Sequence, residues 1–211
     1  MRALLLPCAC GLAIAVCGCG GPASEPGGGG AAGAATSPEA ESIRRVVTPG
    51  GAGAPVGEWS VGSPAFEDGG RIPDRYTGEG ENISPPLAWT QPPPGTVSIA
   101  VICDDPDAPR GTWTHWLAWN IPPEAVGLPE AVPAQIDPDA LRGGIQGTND
   151  SGGLGYSGPM PPPGPVHHYR FRILALDTPL NLPPRVRRKS IDMATEGHVL
   201  GSAILVGTYS R

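Results

Sequence analysis

The chain lacks the features that mark several common classes of protein. With 14 Lys and Arg against 20 Asp and Glu, its formal net charge is −6, which argues against nucleic-acid binding as the main role. The apolar run at 3–16 has 14 residues and is too short to span a bilayer. There is no internal repeat, and no serine stands in a Gly-x-Ser-x-Gly sequence, so the chain offers no hydrolase-type nucleophile elbow.

Cysteine is scarce outside the first residues. Of five cysteines, only Cys103 lies beyond position 19, so no internal disulfide can form once the leading segment is removed. Cys103 ends a continuously apolar run at 97–103. We therefore predict a buried thiol that packs as a small hydrophobic side chain and does not act as a nucleophile.

The first residues predict export. Arg2 precedes the apolar run at 3–16, whose length suits the core of a secretory signal. The residues Val16-Cys-Gly-Cys19 resemble the lipobox of bacterial lipoproteins, and this resemblance implies cleavage before Cys19 and acylation of Cys19. Acylation of Cys17 and plain secretion with an unmodified Cys19 are the alternatives.

This interpretation divides the chain into three parts. Residues 1–18 are the signal peptide, and the mature protein is lipid-anchored to a bacterial membrane, on its periplasmic or extracellular face. Residues 19–57 are rich in Gly and Pro with almost no large apolar side chain, which predicts a flexible linker. Residues 58–211 are long enough for a single domain with its own core.

Short strands between Gly- and Pro-rich turns dominate residues 58–211. Strands are predicted at 58–66, 97–103, 113–121, 168–173 and 202–209, and one helical turn at 137–141. A helix is predicted at 190–196, with Ser190 as its N-cap and Gly197 as its C-cap. Many short strands and one late helix favour a mostly β sandwich over an α/β sheet.

The stretch Gly155–Leu176 organises the rest, because a Gly- and Pro-rich loop runs there directly into a strand. The alternation of the strand puts Tyr169 and Phe171 on one face and Arg170 on the other. His167 shares the parity of Tyr169, so both should point inward beside a rigid loop. A polar pair at the mouth of an apolar face predicts a small ligand pocket.

Four polar residues that can point inward stand at strand ends: Asp105, His115, His167 and Tyr169. Alternation puts His115 on the same face as Leu117 and Trp119. The plain alternative for each of the four is a hydrogen-bonded core residue or a turn cap, because buried polar groups normally find partners. Imidazole, phenol and backbone N–H groups are all donors, and converging donors select an anion. A carboxylate beside an imidazole fixes its tautomer or binds a ligand ammonium group, so the set suits a phosphomonoester or a zwitterionic head group.

Several spaced blocks of residues carry a family resemblance. They are Ile83-Ser-Pro-Pro-Leu-Ala-Trp89, Asp105-Pro-Asp-Ala-Pro109, Trp113-Thr-His-Trp-Leu117, Asn120-Ile-Pro122, Gly158-Pro-Met-Pro-Pro-Pro-Gly164, His167-His-Tyr169, Gly197-His-Val-Leu200 and Val206-Gly-Thr-Tyr209. These blocks resemble those of the phosphatidylethanolamine-binding protein family, and especially its bacterial, Raf-kinase-inhibitor-like branch. Because the blocks are several and stand in the right order, they are far more specific than any one of them.

The resemblance implies a two-sheet antiparallel β-sandwich with one late helix and a pocket for phosphate or phospholipid head groups. By motif position, the ligand-binding residues are Asp105, His115, His167 and Tyr169, with Gly158 and Pro161 shaping the rim. Met160 departs from the Cys expected in many bacterial relatives, which puts thiol chemistry at the rim in doubt.

We therefore expect a non-catalytic protein that binds phosphate, phosphoethanolamine or a similar anion, and that uses no cofactor, metal or nucleic acid. The chief alternative, which the family resemblance also implies, is an inhibitor of a protease or kinase that acts through the Gly/Pro loop. A metal-dependent hydrolase is a weaker alternative, since two His and one Asp could form a facial triad. The sequence leaves a homodimer open.

Overall fold

Two antiparallel sheets organise residues 59–211, the part of the chain that the computed structural model describes. The strands are β1 (Val61–Gly62), β2 (Leu87–Trp89), β3 (Ser98–Asp105), β4 (Trp113–Ile121), β5 (Gly127–Leu128), β6 (Ile145–Gln146), β7 (His167–Leu176) and β8 (Val199–Tyr209). The large sheet has the order β6-β4-β3-β7-β8, and the small sheet has the order β1-β2-β5. The predicted two-sheet, mostly β architecture is confirmed. The predicted signal peptide at 1–18, acylated Cys19 and linker at 19–57 lie outside the described residues.

Strand β3 is the centre of the large sheet. All eight of its residues are buried, as its continuously apolar sequence predicts for a strand covered on both faces. Strand β7 beside it alternates instead, with Tyr169, Phe171 and Ile173 buried and Arg170 and Arg172 partly exposed. The predicted alternation of β7 is confirmed from His167 to Ala175, and the pairing with β8 extends the strand to Leu176.

The inner face of the large sheet packs against the small sheet. One cluster of buried side chains includes Phe171 and Leu205 from the large sheet and Leu87 and Leu128 from the small one. Cys103 belongs to this cluster and is 1% exposed, which confirms the predicted buried thiol. Burial raises the pKa of Cys103 well above its usual value, so the reactive thiolate is disfavoured.

The outer face of the large sheet carries the helix α1 (Arg188–Thr195). Ile191 of α1 belongs to a second buried cluster that contains Leu117 of β4. The prediction of Ser190 as N-cap is wrong, because the helix begins two residues earlier and no side chain caps it. Gly197 lies just beyond the helix with φ +80°, the left-handed conformation that a glycine C-cap supplies. No helix within residues 59–211 is long and apolar enough to cross a membrane.

The first residue of α1 is fixed by the fully buried carboxylate of Asp104 in β3. This carboxylate accepts hydrogen bonds from Arg170 Nε at 2.8 Å, Arg172 Nη2 at 2.5 Å and Arg188 Nη1 at 2.7 Å. Burial alone would raise the pKa of Asp104, but hydrogen bonds from Arg188 and Arg170 and the charge of Arg172 outweigh it and lower the pKa. Asp104 therefore stays ionised at neutral pH and joins the helix to two strands. This long-range tie explains why α1 starts at Arg188 without a local capping signal.

A β-bulge in β4 decides where His115 points. Two register pairs flank it, Cys103 with Trp116 and Asp104 with Thr114. His115 is the extra residue between them, and its ring lies against Tyr169 at a centroid distance of 5.1 Å. The predicted shared face of His115 and Leu117 is wrong, because one inserted residue reverses the alternation along the strand. His115 instead faces the inner side, as the Trp116 that follows it does.

Candidate functional site

The six residues predicted to bind a ligand or shape the rim all line one cavity of about 580 Å³. They are Asp105, His115, Gly158, Pro161, His167 and Tyr169. The cavity lies where β3 ends and β7 begins, since Asp105 is the last residue of β3 and His167 the first of β7. The β4 bulge brings His115 to the same place. Three strands and one loop therefore converge on the site, and the ligand-binding role of its residues stays a prediction.

Asp105 and His167 form a buried pair at the base of the cavity. The Nδ1 of His167 lies 2.7 Å from Oδ2 of Asp105, and both side chains are 5% exposed. The other carboxylate oxygen accepts the backbone N–H of Asp107 at 2.8 Å. Because Nδ1–H of His167 donates to the carboxylate, Nε2 is the nitrogen left to meet a ligand. The predicted contact between an acid and an imidazole is present.

His115 is held by the backbone of the loop that precedes β7. Its Nδ1 lies 2.6 Å from the carbonyl oxygen of Ser157, so Nδ1–H donates there and Nε2 is free of that contact. Burial lowers the pKa of His115, and the hydrogen bond to Ser157 and the charge of Asp105 oppose this only in part. The lowered pKa favours the neutral imidazole at pH 7, in which Nε2 carries a lone pair.

Tyr169 is a donor that keeps its proton. Its side chain is 1% exposed, and its ring meets that of His115 edge to face, at an interplanar angle of 76°. Burial raises the pKa of Tyr169, and the negative charge of Asp105 raises it further. The phenol stays protonated throughout the physiological range, so it can donate a hydrogen bond to an anion.

Gly158 shapes the rim because the loop approaches the segment around Tyr76 very closely. A Cβ at Gly158 would lie 2.4 Å from the carbonyl oxygen of Tyr76 and 2.7 Å from Cα of Thr77. Three hydrogen bonds join the two segments: Gly158 N–H to Asn82 Oδ1 at 2.7 Å, Gly78 N–H to the Pro159 carbonyl at 2.8 Å, and the Tyr156 hydroxyl to the Tyr76 carbonyl at 2.8 Å. Only glycine permits this approach.

Sequence reasoning missed several residues of the cavity wall. Arg110, Trp113, Ser157 and Asn82 all line it. Two of them carried a signal, since Arg110 directly follows the Asp105–Pro109 block and Trp113 shares the parity of His115. Asn82 carried none, because its position depends on a contact with a loop that lies far along the chain.

Asp107 lies outside the cavity, although it stands next to the Asp-Pro pair. Its Oδ2 accepts the backbone N–H of His168 at 2.9 Å and lies 2.7 Å from Nδ1 of the same residue. These hydrogen bonds lower the pKa of Asp107. Asp107 therefore fixes the entry of β7 from outside, while Asp105 faces the interior.

The geometry leaves few groups free to coordinate a metal ion. Asp105 already uses both oxygens, so in a metal site it would orient His167 and would not be a ligand. Only the Nε2 atoms of His115 and His167 then remain. Within residues 59–211, no group of three or more His, Cys, Asp or Glu side chains is placed to hold a metal ion.

A comparison of the sequence with known families and curated proteins gives consistent matches. The profile of the family described as phosphatidylethanolamine-binding protein matches residues 62–210. A UPF0098 protein of Methanothermobacter thermautotrophicus is 57% identical over 150 residues, which are 70% of this chain and 95% of that protein. The candidate lipoprotein LppC of Mycobacterium tuberculosis is 35% identical over 199 residues, which are 94% of this chain and 91% of that protein.

Solved structures resemble the described fold. E. coli YbcL, described as a new member of the mammalian phosphatidylethanolamine-binding protein family, superposes with a TM-score of 0.68 at 32% identity, over 73% of this chain and 99% of YbcL. CT736 of Chlamydia trachomatis, described as a homologue of the same family, gives a TM-score of 0.65 at 35% identity, over 72% of this chain and 97% of CT736.

Proposed function

The chain belongs to the phosphatidylethanolamine-binding protein family, and from this membership and the geometry of the cavity we propose that it binds small anionic groups, either phosphate or the head group of a phospholipid. One observation supports the proposal: the buried side chains of His115 and His167, far apart in the sequence, converge with those of Asp105 and Tyr169 on one cavity. Polar groups that converge in a concave, largely buried site are typical of small-ligand binding.

The donors of the site suit an anion whose binding is accompanied by transfer of a proton to an imidazole of the site. The Tyr169 hydroxyl donates in its neutral state, while His115 and His167 donate from Nε2 once they are protonated. The carboxyl group of Asp105 holds Nδ1 of His167 at 2.7 Å and leaves its Nε2 for the ligand. The negative charge of a bound ligand favours protonation of His115, and the resulting charge-assisted hydrogen bonds are the strong ones.

We propose that the site binds without chemical transformation. Hydrolysis by a serine would need a hydroxyl activated by a histidine. Of the two serines in the cavity wall, Ser157 offers its carbonyl to His115, and its hydroxyl lies 3.1 Å from that of Ser151. Neither hydroxyl is hydrogen-bonded to a histidine of the described residues, which supports binding over nucleophilic catalysis. Metal analysis of the purified protein tests the remaining enzymatic alternative, and stoichiometric zinc or iron would favour it.

We also propose that the protein is lipid-anchored through Cys19. The match to the candidate lipoprotein LppC covers 199 of the 211 residues, which leaves about 12 unmatched, so the similarity includes the predicted lipobox at 16–19. Mass spectrometry of the mature N-terminus tests this proposal. A diacylglyceryl group on Cys19 supports it, and an unmodified cysteine at that position contradicts it.

A second candidate function is inhibition of a protease or kinase through the loop at 159–166. This segment contains no charged or hydrogen-bonding side chain, and Met160 and Val166 are 58% and 51% exposed. Exposed apolar surface that rigid prolines preorganise is suited to contact with another protein. An inhibitory role predicts that Val166→Asp, at an exposed residue that does not line the cavity, abolishes inhibition of a target enzyme and leaves the binding of phosphate intact.

The anion-binding proposal is tested by NMR of the histidine rings during titration with phosphate or phosphoethanolamine. The ring signals of His115 and His167 should move together, and His167→Ala should abolish the response of His115. His198 is the internal control, because its exposed ring pairs with Asp177 and does not line the cavity. Rings of His115 and His167 that do not respond to millimolar ligand would refute the proposal.

A further inference from the structure

The charges around the cavity do not by themselves make an anion site. The buried wall contains the carboxyl group of Asp105, 2.7 Å from Nδ1 of His167, so an acidic side chain stands beside one of the two imidazoles. His115 is held near neutrality by its burial, and the negative charges that act on it come from Asp105, Asp104 and Asp150. A neutral His115 whose Nδ1–H is donated to a carbonyl presents a lone pair on Nε2, which repels an anion.

Arg110 supplies the positive charge that this arrangement lacks. It is the one Arg or Lys among the residues of 59–211 that line the cavity. Its side chain is exposed, and it makes no ion pair with any other residue of that part of the chain. A guanidinium stays charged at every physiological pH and presents five N–H donors in a planar fork that matches a phosphate group. Arg170, Arg172 and Arg188, by contrast, are already paired with Asp104 on the outer face of the sheet.

The loop around Arg110 holds its position. Pro109 fixes the backbone before it, and Gly111 after it has φ +98°, a conformation that other residues rarely adopt. The Gly111 N–H also donates to the carbonyl of Ala108 at 3.1 Å, which closes a tight turn with Arg110 at its tip. A turn of this kind holds the backbone of Arg110 in one conformation beside the cavity, which reduces the backbone entropy that binding must overcome.

We propose that Arg110 determines the charge selectivity of the cavity and makes it prefer phosphomonoesters over phosphodiesters; this rests on the proposed function and narrows it. A phosphomonoester carries about −1.5 to −2 charges at pH 7, whereas a phosphodiester carries about −1. The permanent positive charge of Arg110 attracts the more highly charged ligand more strongly, so it favours the monoester. The preferred ligand is then a free phosphomonoester and not the diester head group of an intact phospholipid.

Calorimetric titration of the purified full-length protein tests the proposal with two soluble ligands that share the same amine. Phosphoethanolamine is the monoester, and glycerophosphoethanolamine is the diester. Wild type should bind the monoester about tenfold more tightly or better, since a charge-assisted hydrogen bond of an exposed group contributes at the low end of its usual range. Arg110→Gln should lose about that factor for the monoester and bring the two affinities close together, and Arg110→Lys should retain most of the preference.

Lys189→Gln is the matched control, because Lys189 is an exposed cation on α1 that does not line the cavity. It removes the same net charge and should change neither affinity by more than about twofold at physiological salt, where distant exposed charges are screened. Arg110→Gln that binds both ligands as wild type does would overturn the assignment of Arg110 and leave anion binding intact. If wild type binds neither ligand, the proposed function itself fails, and the inference fails with it.

Discussion

Replacing Gly158 with alanine tests the geometry of the rim at its tightest point. The new methyl group would lie 2.4 Å from the Tyr76 carbonyl oxygen and within 2.8 Å of two backbone atoms of Thr77. All three neighbours are backbone atoms, so no side chain can rotate away to make room. The loop carrying Gly158 must move away from the segment around Tyr76, and the cavity wall must change with it.

The expected cost follows from the contacts that this movement breaks. Forcing an extra methyl group into a close-packed site costs about 1–3 kcal/mol. The shift also strains the three hydrogen bonds that join the two segments, and losing one of them adds about 1 kcal/mol. We therefore expect Gly158→Ala to lower the free energy of unfolding by about 2–4 kcal/mol. Because Ser157 holds His115, phosphate affinity should fall as well.

Urea unfolding and a phosphate titration measure the two effects on the same samples. Gly62→Ala is the control, because a Cβ at Gly62 meets no atom within 4 Å and its backbone needs no left-handed conformation. It should change the stability by less than about 0.5 kcal/mol. A Gly158→Ala variant that is as stable as Gly62→Ala and binds phosphate as wild type does would refute the close approach, and with it the placement of the rim.

Three further predictions address the residues that hold the fold around the site. Asp104→Asn should lower the free energy of unfolding in urea by about 3 kcal/mol, because it leaves three guanidinium groups without their shared anion; partial hydration of the arginines keeps this loss at the low end of the usual range. Asp107→Asn, at an exposed ion pair, is the control and should cost less than about 1 kcal/mol. Equal losses in the two variants would contradict the role of Asp104. Because the pKa of His115 is lowered on folding, the unfolded chain binds the proton first, and wild type should lose stability as pH falls through about 6.5. His115→Asn should lose less over that window in urea midpoints, and an identical pH profile would contradict the buried, neutral imidazole. Mass mapping after iodoacetamide should find Cys103 unmodified in the native protein and alkylated in urea, and rapid native labelling would contradict its burial.

The sequence predicts an element well where one rule decides its conformation. The alternation of Tyr169, Phe171 and Ile173 identified β7 because each of these side chains packs into one core. The apolar run at 97–103 identified β3, since a strand covered on both faces needs apolar residues at every position. Both elements are determined by burial, which the order of apolar residues records directly.

The elements that the sequence predicted poorly depend on distant partners. The β4 bulge at His115 appears only when the register with β3 is known, because the strand itself alternates without interruption. The start of α1 depends on Asp104, which lies more than 80 residues earlier in the chain. Strands β5 and β6 have two residues each and carry too little sequence to show any period.

The candidate site shows the same division. Asp105, His115, His167 and Tyr169 could be found because their residue types, strand ends and motif positions agree. The carbonyl of Ser157 and the amide of Asn82 could not be found, because a backbone carbonyl carries no residue signature and an asparagine in a turn has many uses. Arg110 is intermediate. Its charge is visible in the sequence, but only the fold shows that it forms no ion pair with a carboxylate of residues 59–211.

The adjacent residues Asp104 and Asp105 show why the site lies where it does. Neighbouring side chains on a strand point to opposite faces, so one carboxylate is buried among arginines outside the sheet while the next enters the cavity. Asp104 joins β3, β7 and α1, and the bulge opposite it turns His115 inward. The ion pairs of Asp104 on the outer face thus hold the end of β3 in place, and with it the backbone of Asp105. Asp105 can therefore orient His167 reliably, because the neighbouring Asp104 is held by three arginines.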